Sequence, residues 1–388
     1  MNSSRRNFLS AGLALPVAGL AARTSQNPAA PQTSPPAPPA SGFSYQKLGS
    51  TGLSPTRVAF GCMITSDGSV VEKAADLGIN YFDTARGYQG GNNERMVGAA
   101  LKGKRKQLYI SSKSHTRDKA GAMKDLETSL STLGTDYLDI WYLHSLSSAA
   151  DLTPELLEAQ ATAKKDGKIR FAGVSTHGGQ AAVIDAAIKS GVIDVVLLGY
   201  NFTMDPSIET AIEKAKAAGI GLVAMKVMAG GPRRVKKEEK AYGILQRDGA
   251  MVAALKWVLK NPKIDTTVPS ITDMEQLDAN LKAMGSKFTE ADEKILTAHL
   301  DHIGPSYCRM CGKCEGTCSK GLPVADMLRF LTYADGYGQF ALGRERFLEL
   351  PEEAASVRCG DCTSCSVTCP FGVHVAQRLI RAQDLFAC

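Results

Sequence analysis

Residues 79–88 read INYFDTARGY, a short apolar run followed at once by polar side chains. The β-branched and aromatic residues Ile79, Tyr81 and Phe82 are typical of a buried strand. Asp83 and Tyr88 stand where that strand is expected to end. Similar runs recur along the chain, and between them lie segments with apolar residues at helical spacing that mostly end in glycine.

Eight such runs follow one another between residues 43 and 300. They are RVAFG (57–61), INYFDTA (79–85), QLYISSK (107–113), LDIWYLH (138–144), IRFAGVST (169–176), DVVLLGYN (194–201), IGLVAMKVM (220–228) and DTTVPSI (265–271). Their alternation with helical segments predicts an α/β fold, a (β/α)₈ TIM barrel, with a doubly wound open sheet as the alternative. The preceding FSYQKLGSTGLS, residues 43–54, predicts a hairpin across the barrel floor.

In a barrel of this kind, chemically useful side chains lie at the carboxyl ends of the strands. Asp83 and Tyr88 follow the second run, while Lys113 and His144 close the third and fourth runs. A buried lysine beside a carboxylate and a tyrosine is expected to make the phenol acidic enough to give a proton near neutral pH. The four residues are therefore predicted to form a catalytic group.

The stretches FDTARGY (82–88), SSK (111–113) and YLH (142–144) resemble the catalytic signature of the aldo-keto reductases. KLGSTGLSPTRVAFGC (47–62) resembles the opening hairpin and first strand of that family. The resemblance implies an oxidoreductase that interconverts a small carbonyl substrate and its alcohol. Tyr88 would act as general acid, Lys113 and Asp83 would tune it, His144 would orient the substrate, and NADP(H) would supply hydride.

The same resemblance assigns a set of cofactor-binding positions, several of which depart from the family pattern. They are Ser175, Thr176, Tyr200, Asn201, Lys226, Ser270, Gln276 and Asn280. Thr176 replaces an expected asparagine, and Ser270 and Gln276 stand where a lysine and an arginine often grip the 2′-phosphate. Losing a bidentate arginine weakens selectivity for a phosphate. NADP(H) is expected here as the family's usual cofactor. NAD(H), or a loss of nicotinamide use, stays open.

Eight of the ten cysteines lie between residues 308 and 369, in CRMCGKCEGTC (308–318) and CGDCTSCSVTCP (359–370). Both stretches have the spacing C-x₂-C-x₂-C-x₃-C, which predicts two [4Fe–4S] clusters whose fourth ligands are exchanged. The expected ligand sets are Cys308, Cys311, Cys314 and Cys369 for one cluster, and Cys359, Cys362, Cys365 and Cys318 for the other. Zinc and a disulfide framework are less suited to this repeated spacing.

Residues 301–388 as a whole resemble a dicluster ferredoxin module. Clusters transfer one electron at a time and a nicotinamide transfers two, so we expect the clusters to relay electrons to or from a redox protein partner. Two alternatives stay open: the clusters only stabilise a small domain, or the whole chain is a noncatalytic electron-transfer or redox-sensing module.

The amino terminus predicts export. Residues 1–23 contain Arg5 and Arg6 ahead of a short apolar run, and they resemble a twin-arginine signal. Residues 24–42, rich in Pro, Ala and Ser, predict an extended linker. A periplasmic location follows, with membrane attachment only if the signal stays uncleaved; a basic tail is the alternative. The net charge of +6 and the lack of basic runs interleaved with aromatics argue against nucleic acid as a partner.

Overall fold

Eight parallel β-strands form one sheet in the order of the chain. In the computed structural model, which describes residues 42–230 and 249–386, the strands are β1 (Phe60–Gly61), β2 (Tyr81–Asp83), β3 (Tyr109–Ser114), β4 (Leu138–Leu146), β5 (Ile169–Thr176), β6 (Val195–Gly199), β7 (Gly221–Met225) and β8 (Thr266–Thr267). Parallel bridges from Val58 to Thr267 and from Gly61 to Ser270 close the sheet on itself. The predicted (β/α)₈ barrel is therefore confirmed, and the open sheet is excluded.

A helix follows each strand in the chain. The helices are α1 (Gly68–Leu77), α2 (Asn92–Ala100), α3 (Lys119–Leu133), α4 (Pro154–Lys165), α5 (Gln180–Ser190), α6 (Ile208–Ala217), α7 (Ala250–Leu259) and α8 (Met274–Met284). Their ends follow local sequence signals: the Asp118 side chain accepts from the Gly121 amide at the start of α3, and Gly134 ends that helix with φ +66. α9 (Glu290–Ile303) then packs against α7.

Successive residues of the strands face alternately into the barrel and into its wall. Val195 and Leu197 of β6 belong to the cluster inside the barrel, whereas Val196 and Leu198 pack in the larger cluster of the wall and helices. Tyr81 follows the same alternation and points inward, where its hydroxyl lies 2.9 Å from Ser111 Oγ. The apolar interior makes the barrel a packed core, so ligands have access only at its ends.

The predicted hairpin at the barrel floor is confirmed. Tyr45 and Thr56 form an antiparallel bridge, and Leu48 and Leu53 lie buried in the cluster inside the barrel. At the turn Gly49 has φ +52, and a Cβ there would stand 2.3 Å from the Gly221 amide nitrogen. Only glycine allows this close approach to the start of β7, so the floor is sealed and the carboxyl end is left for chemistry.

The chain continues with four helices that have a small apolar cluster of their own. They are α10 (Val324–Asp335), α11 (Phe340–Leu348), α12 (Glu352–Ala355) and α13 (Val375–Phe386). Partly buried cysteines, among them Cys308, Cys314, Cys359 and Cys369, pack against this cluster. Helices α10, α11 and α12 occupy the stretch between the two cysteine motifs, and α13 follows the second motif.

The predicted signal, residues 1–23, lies outside the described residues, as does the linker apart from Gly42. Within residues 42–230 and 249–386, no helix combines the length and the apolar character needed to cross a bilayer.

Candidate active site

The four predicted catalytic residues come together at the carboxyl end of the barrel. Asp83 ends β2, Lys113 lies near the end of β3, and His144 lies near the end of β4. Tyr88 stands in the turn that leads from β2 to α2. Because β2, β3 and β4 are neighbours in a parallel sheet, these side chains reach the same edge. All four border or adjoin one pocket and are almost completely buried.

Lys113 holds the group together through its ammonium. Its Nζ donates to Asp83 Oδ2 at 2.6 Å, to the carbonyl oxygen of Thr84 at 2.6 Å, and to the Tyr88 hydroxyl at 3.3 Å. These three contacts use all three N–H donors of a lysine. Ser111 donates to the other Asp83 oxygen at 2.6 Å. The Tyr88 hydroxyl is therefore fixed beside a cation that stabilises a phenolate.

The electrostatics of Tyr88 differ from the expectation drawn from the sequence. Burial, followed by the charge of Asp83, raises the pKa of Tyr88 well above its ordinary value. The carboxylate that anchors Lys113 also repels a phenolate, so the cation alone does not decide the outcome. Tyr88 consequently keeps its proton throughout the neutral range, which is the form that a proton donor needs.

His144 is neutral in this environment. Burial first, and then His115 and Lys113, lower the pKa of His144 well below its ordinary value. Its ring meets that of Tyr88 edge to face, with 5.8 Å between centroids, and lies 3.9 Å from the centroid of His115. A neutral imidazole can donate one hydrogen bond and accept another, which suits it to orient an uncharged carbonyl group.

The pocket has a volume of about 260 Å³, and part of its lining comes from helices α10 and α11. Several lining residues were missed in the sequence analysis, among them His115, His177, Arg329, Tyr333 and Arg346. His115 and His177 directly follow β3 and β5, so their positions at the ends of strands could have identified them as candidates. The residues of α10 and α11 carry no local signal, because their place over the barrel depends on tertiary packing.

Some of the predicted cofactor residues lie at this pocket. Lys226 and Ser270 line it, next to Met225 at the end of β7. Ser175 is buried at the end of β5, where its Oγ accepts from the Ser145 amide and keeps its own proton for another acceptor. The amine of Lys226 and the hydroxyl of Ser270 at this pocket can donate hydrogen bonds to a carboxamide such as that of a nicotinamide.

Most of the other predicted cofactor residues form hydrogen bonds within the protein. Thr176 donates to the Gly178 carbonyl oxygen, and the Tyr200 hydroxyl donates to Glu209 on α6. The Asn201 side chain donates to the Lys226 carbonyl oxygen and the Tyr307 hydroxyl, while its oxygen accepts from Thr203. Gln276 and Asn280 lie on α8, where the exposed Gln276 bonds to Thr272 and Asp273. Of the eight predicted cofactor residues, Lys226 and Ser270 are the ones in the lining of this pocket.

The eight motif cysteines fall into two groups in space: Cys308 lies near Cys311, Cys314 and Cys369, and Cys359 lies near Cys318, Cys362 and Cys365. Burial, and then the neighbouring thiols of Cys314, Cys311 and Cys369, raise the pKa of Cys308 to about 12. In the second group burial, and then the charges of Cys365, Cys362 and Cys318, raise the pKa of Cys359.

The second group surrounds a cavity of about 100 Å³ that is lined by all four of its cysteines. Among residues 42–230 and 249–386, no three His, Cys, Asp or Glu side chains converge closely enough to bind one metal ion. Each cysteine ligand of a [4Fe–4S] cluster binds a different iron atom, so such ligands surround a volume instead of meeting at a point. A cavity lined by four thiols fits a cluster of this kind.

Comparisons with known proteins identify the family. Residues 66–301 match the model of the aldo/keto reductase family. The uncharacterized oxidoreductase YqkF of Bacillus subtilis is 26% identical over 66% of this chain and 95% of its own length. The methylglyoxal reductase DkgB of Escherichia coli O157:H7 is 28% identical over 59% of this chain and 86% of its length. The holo structure of the aldo-keto reductase AKR11C1 from Bacillus halodurans is 26% identical, with a TM-score of 0.57 over 66% of this chain and 96% of that one. The chain belongs to the aldo/keto reductase family and is an oxidoreductase enzyme.

Proposed function

We propose that the enzyme interconverts a small carbonyl compound and its alcohol, with Tyr88 as the acid and base. The observation that carries this proposal is the contact of Lys113 Nζ with both Asp83 and the Tyr88 hydroxyl, beside a pocket open to ligand. A phenol held in this way gives a proton to a carbonyl oxygen as that oxygen gains negative charge. In the reverse direction the phenolate takes the proton of the alcohol.

Each member of the group has one task in this scheme. Tyr88 donates the proton, and Lys113 stabilises the phenolate that remains at 3.3 Å from its Nζ. Asp83 fixes the position of Lys113, and neutral His144 hydrogen-bonds the carbonyl oxygen so that it faces Tyr88. NADP(H), which aldo-keto reductases use, would be held by Ser175, Lys226 and Ser270 and would supply the hydride.

We further propose that residues 301–388 bind two [4Fe–4S] clusters. The two spatial groups of thiols and the four-cysteine cavity support this assignment. Such clusters supply one-electron transfer. Through them the enzyme would exchange electrons with a redox protein partner, in addition to the small carbonyl or alcohol at the barrel mouth.

The proposed layout has an export signal at 1–23, a linker at 24–42, the reductase barrel at 43–300 and the cluster domain at 301–388. The paired Arg5 and Arg6 support export by the twin-arginine route to the periplasm. That route carries proteins already folded, which suits an enzyme whose clusters are inserted before export.

A second candidate function is electron transfer or redox sensing without catalysis. It is favoured by the hydrogen bonds that commit Asn201 and by the direction of the Tyr200 hydroxyl, which leave fewer groups for a nicotinamide. It predicts that neither NADPH nor NADH binds.

Anaerobic titration separates the two candidates. The purified protein would be assayed for iron and then titrated with NADPH and with NADH, while nicotinamide fluorescence and cluster absorbance are recorded. Saturable nucleotide binding, with oxidation of the nucleotide when methylglyoxal is added, supports the reductase. If protein that contains its iron binds neither NADPH nor NADH, the result supports the electron-transfer or redox-sensing module.

A further inference from the structure

The pocket around Tyr88 contains three cationic side chains, and two of them, Arg329 and Arg346, have no part in the proposed reaction. Lys226 follows β7, while Arg329 of α10 and Arg346 of α11 are brought over the barrel by the C-terminal helices. The Arg346 guanidinium comes close to the catalytic turn, since its Nη2 is 3.0 Å from where a Cβ on Gly87 would stand. The Arg346 guanidinium therefore lies beside the turn that carries Tyr88.

The carboxylates that pair with these arginines are much more exposed than the arginines themselves. The Arg329 side chain is 13% exposed and its partner Asp326 is 47% exposed. Arg346 is 13% exposed and its partner Glu349 is 52% exposed. Water screens an exposed carboxylate more than a buried guanidinium. The third carboxylate of the pocket, Asp83, is already paired with Lys113. The interior of the pocket is therefore left with an excess of positive charge.

The pKa values of two pocket histidines are lowered by the same positive charges. Burial first, and then Arg346, Arg117 and Arg329, lower the pKa of His115 to about 3. Burial, followed by Arg329 and Lys226, lowers the pKa of His177 well below its ordinary value. The histidines add no charge of their own, and nearby cations disfavour their protonated forms.

Two buried ring nitrogens border this region of the pocket. Nε2 of His115 and Nδ1 of His144 make no hydrogen bond within the part of the chain that the structure describes. Buried polar atoms are nearly always paired. Both atoms belong to rings that line the pocket, so they indicate a polar ligand between the histidines and the arginines.

We propose that the substrate carries a carboxylate besides its reactive carbonyl, and that Arg346 and Arg329 bind this carboxylate. The inference rests on the proposed function and names its substrate class: an oxo acid, which must be short because the pocket of about 260 Å³ also has to hold the nicotinamide ring. Guanidinium groups bind carboxylates with paired, charge-assisted hydrogen bonds. The carboxylate is unchanged in the reaction; hydride adds to the carbonyl carbon, and the proton of Tyr88 goes to its oxygen.

Binding of unreactive probes tests the inference without any turnover. Calorimetry would compare butyrate with butyramide, which has the same length and no charge, on the intact iron-containing protein. A charge-assisted bond predicts that butyrate binds tighter by roughly tenfold or more. Arg346→Gln should remove most of this advantage, whereas Arg381→Gln should retain it, because Arg381 lies on α13 and pairs with Asp335 away from the pocket. Equal affinities in the wild type would overturn the inference, even if the variants did not fold.

Turnover then distinguishes this inference from the proposed function. The values of kcat/KM would be compared for 4-oxobutanoate and butanal, which share a four-carbon chain. We expect 4-oxobutanoate to be preferred by roughly tenfold or more, and Arg346→Gln to reduce kcat/KM for it by a larger factor than for butanal. Equal reduction of both aldehydes would leave the reductase function standing and reject the carboxylate site.

Discussion

Nζ of Lys226, at the end of the barrel's seventh strand, lies 4.5 Å from the centre of the Tyr333 ring on α10. Burial would raise the pKa of Tyr333, but Lys226 and Arg329 outweigh it and hold that pKa below its ordinary value. Tyr333 borders the pocket of Tyr88 and also a small cavity that contains Cys308. Lys226 and Arg329 border both cavities as well, so three side chains lie between the candidate active site and a ligand of the first proposed cluster, and the helical domain forms part of the site.

Replacing Lys113 should destabilise the protein strongly. Lys113→Met leaves the Asp83 carboxylate, whose side chain is 6% exposed, without its buried partner. The expected loss in the free energy of unfolding is about 3–5 kcal/mol, measured by urea denaturation. Adding Asp83→Asn should recover much of it. Lys164→Met, which breaks the more exposed pair with Asp194, should cost no more than about 1 kcal/mol. Equal losses in the two single variants would contradict this account of the buried pair.

The two directions of the reaction should differ in their pH dependence. Since the pKa of Tyr88 is raised, its proton is present throughout the neutral range, and kcat for carbonyl reduction should be flat between about pH 6 and 9. Alcohol oxidation requires the phenolate, so its rate should rise with pH over the same interval. Stopped-flow measurement in both directions checks this. A reduction rate that falls through neutral pH as Tyr88 loses its proton would show that the phenol is acidic instead.

Cysteine substitutions should remove iron one proposed cluster at a time. Cys308→Ser and Cys369→Ser should each lower the iron content from about eight to about four per chain, and so should Cys359→Ser and Cys318→Ser. Combining Cys308→Ser with Cys369→Ser should lower it no further, because both belong to one spatial group. Combining Cys308→Ser with Cys359→Ser should remove nearly all iron. Cys62→Ala, in the barrel wall, should retain it. Equal iron loss in the two double variants would contradict the exchanged ligand sets.

Close backbone packing holds the C-terminal helices on the barrel. A Cβ on Gly336 would stand 2.1 Å from the carbonyl oxygen of Gly230, in the segment after β7. Gly336→Ala must therefore shift one of these elements, and we expect a loss of about 1–3 kcal/mol in stability with a reduced kcat/KM. Gly68→Ala, whose Cβ would meet Met96 at an ordinary 3.5 Å, should be tolerated. Wild-type stability and activity in Gly336→Ala would show that this contact is unimportant.

The barrel and the convergence of the four candidate catalytic residues were predictable because both depend on short-range patterns. Strand runs such as INYFDTA and their position before helices indicate the fold, and the fold alone brings Asp83, Lys113 and His144 to one edge. The cysteine groups follow from spacing in the same way. Arg329, Tyr333 and Arg346 were not predictable, because nothing in a helical sequence tells which barrel end it will cover. The direction of the Tyr200 hydroxyl was not predictable for a similar reason, because it depends on the neighbouring helix that carries Glu209.

The most direct test of the account is the turnover of Tyr88→Phe beside the wild type, with NADPH and methylglyoxal under anaerobic conditions. Loss of the phenolic proton should lower kcat by roughly 10²–10⁴-fold, while the iron content and the affinity for NADPH stay at wild-type values. Tyr137→Phe, at a partly exposed ring beside Arg105, is the matched control and should keep full activity. If Tyr88→Phe instead reduces methylglyoxal as fast as the wild type, Tyr88 is not the proton donor and the proposed carbonyl chemistry at this pocket is wrong.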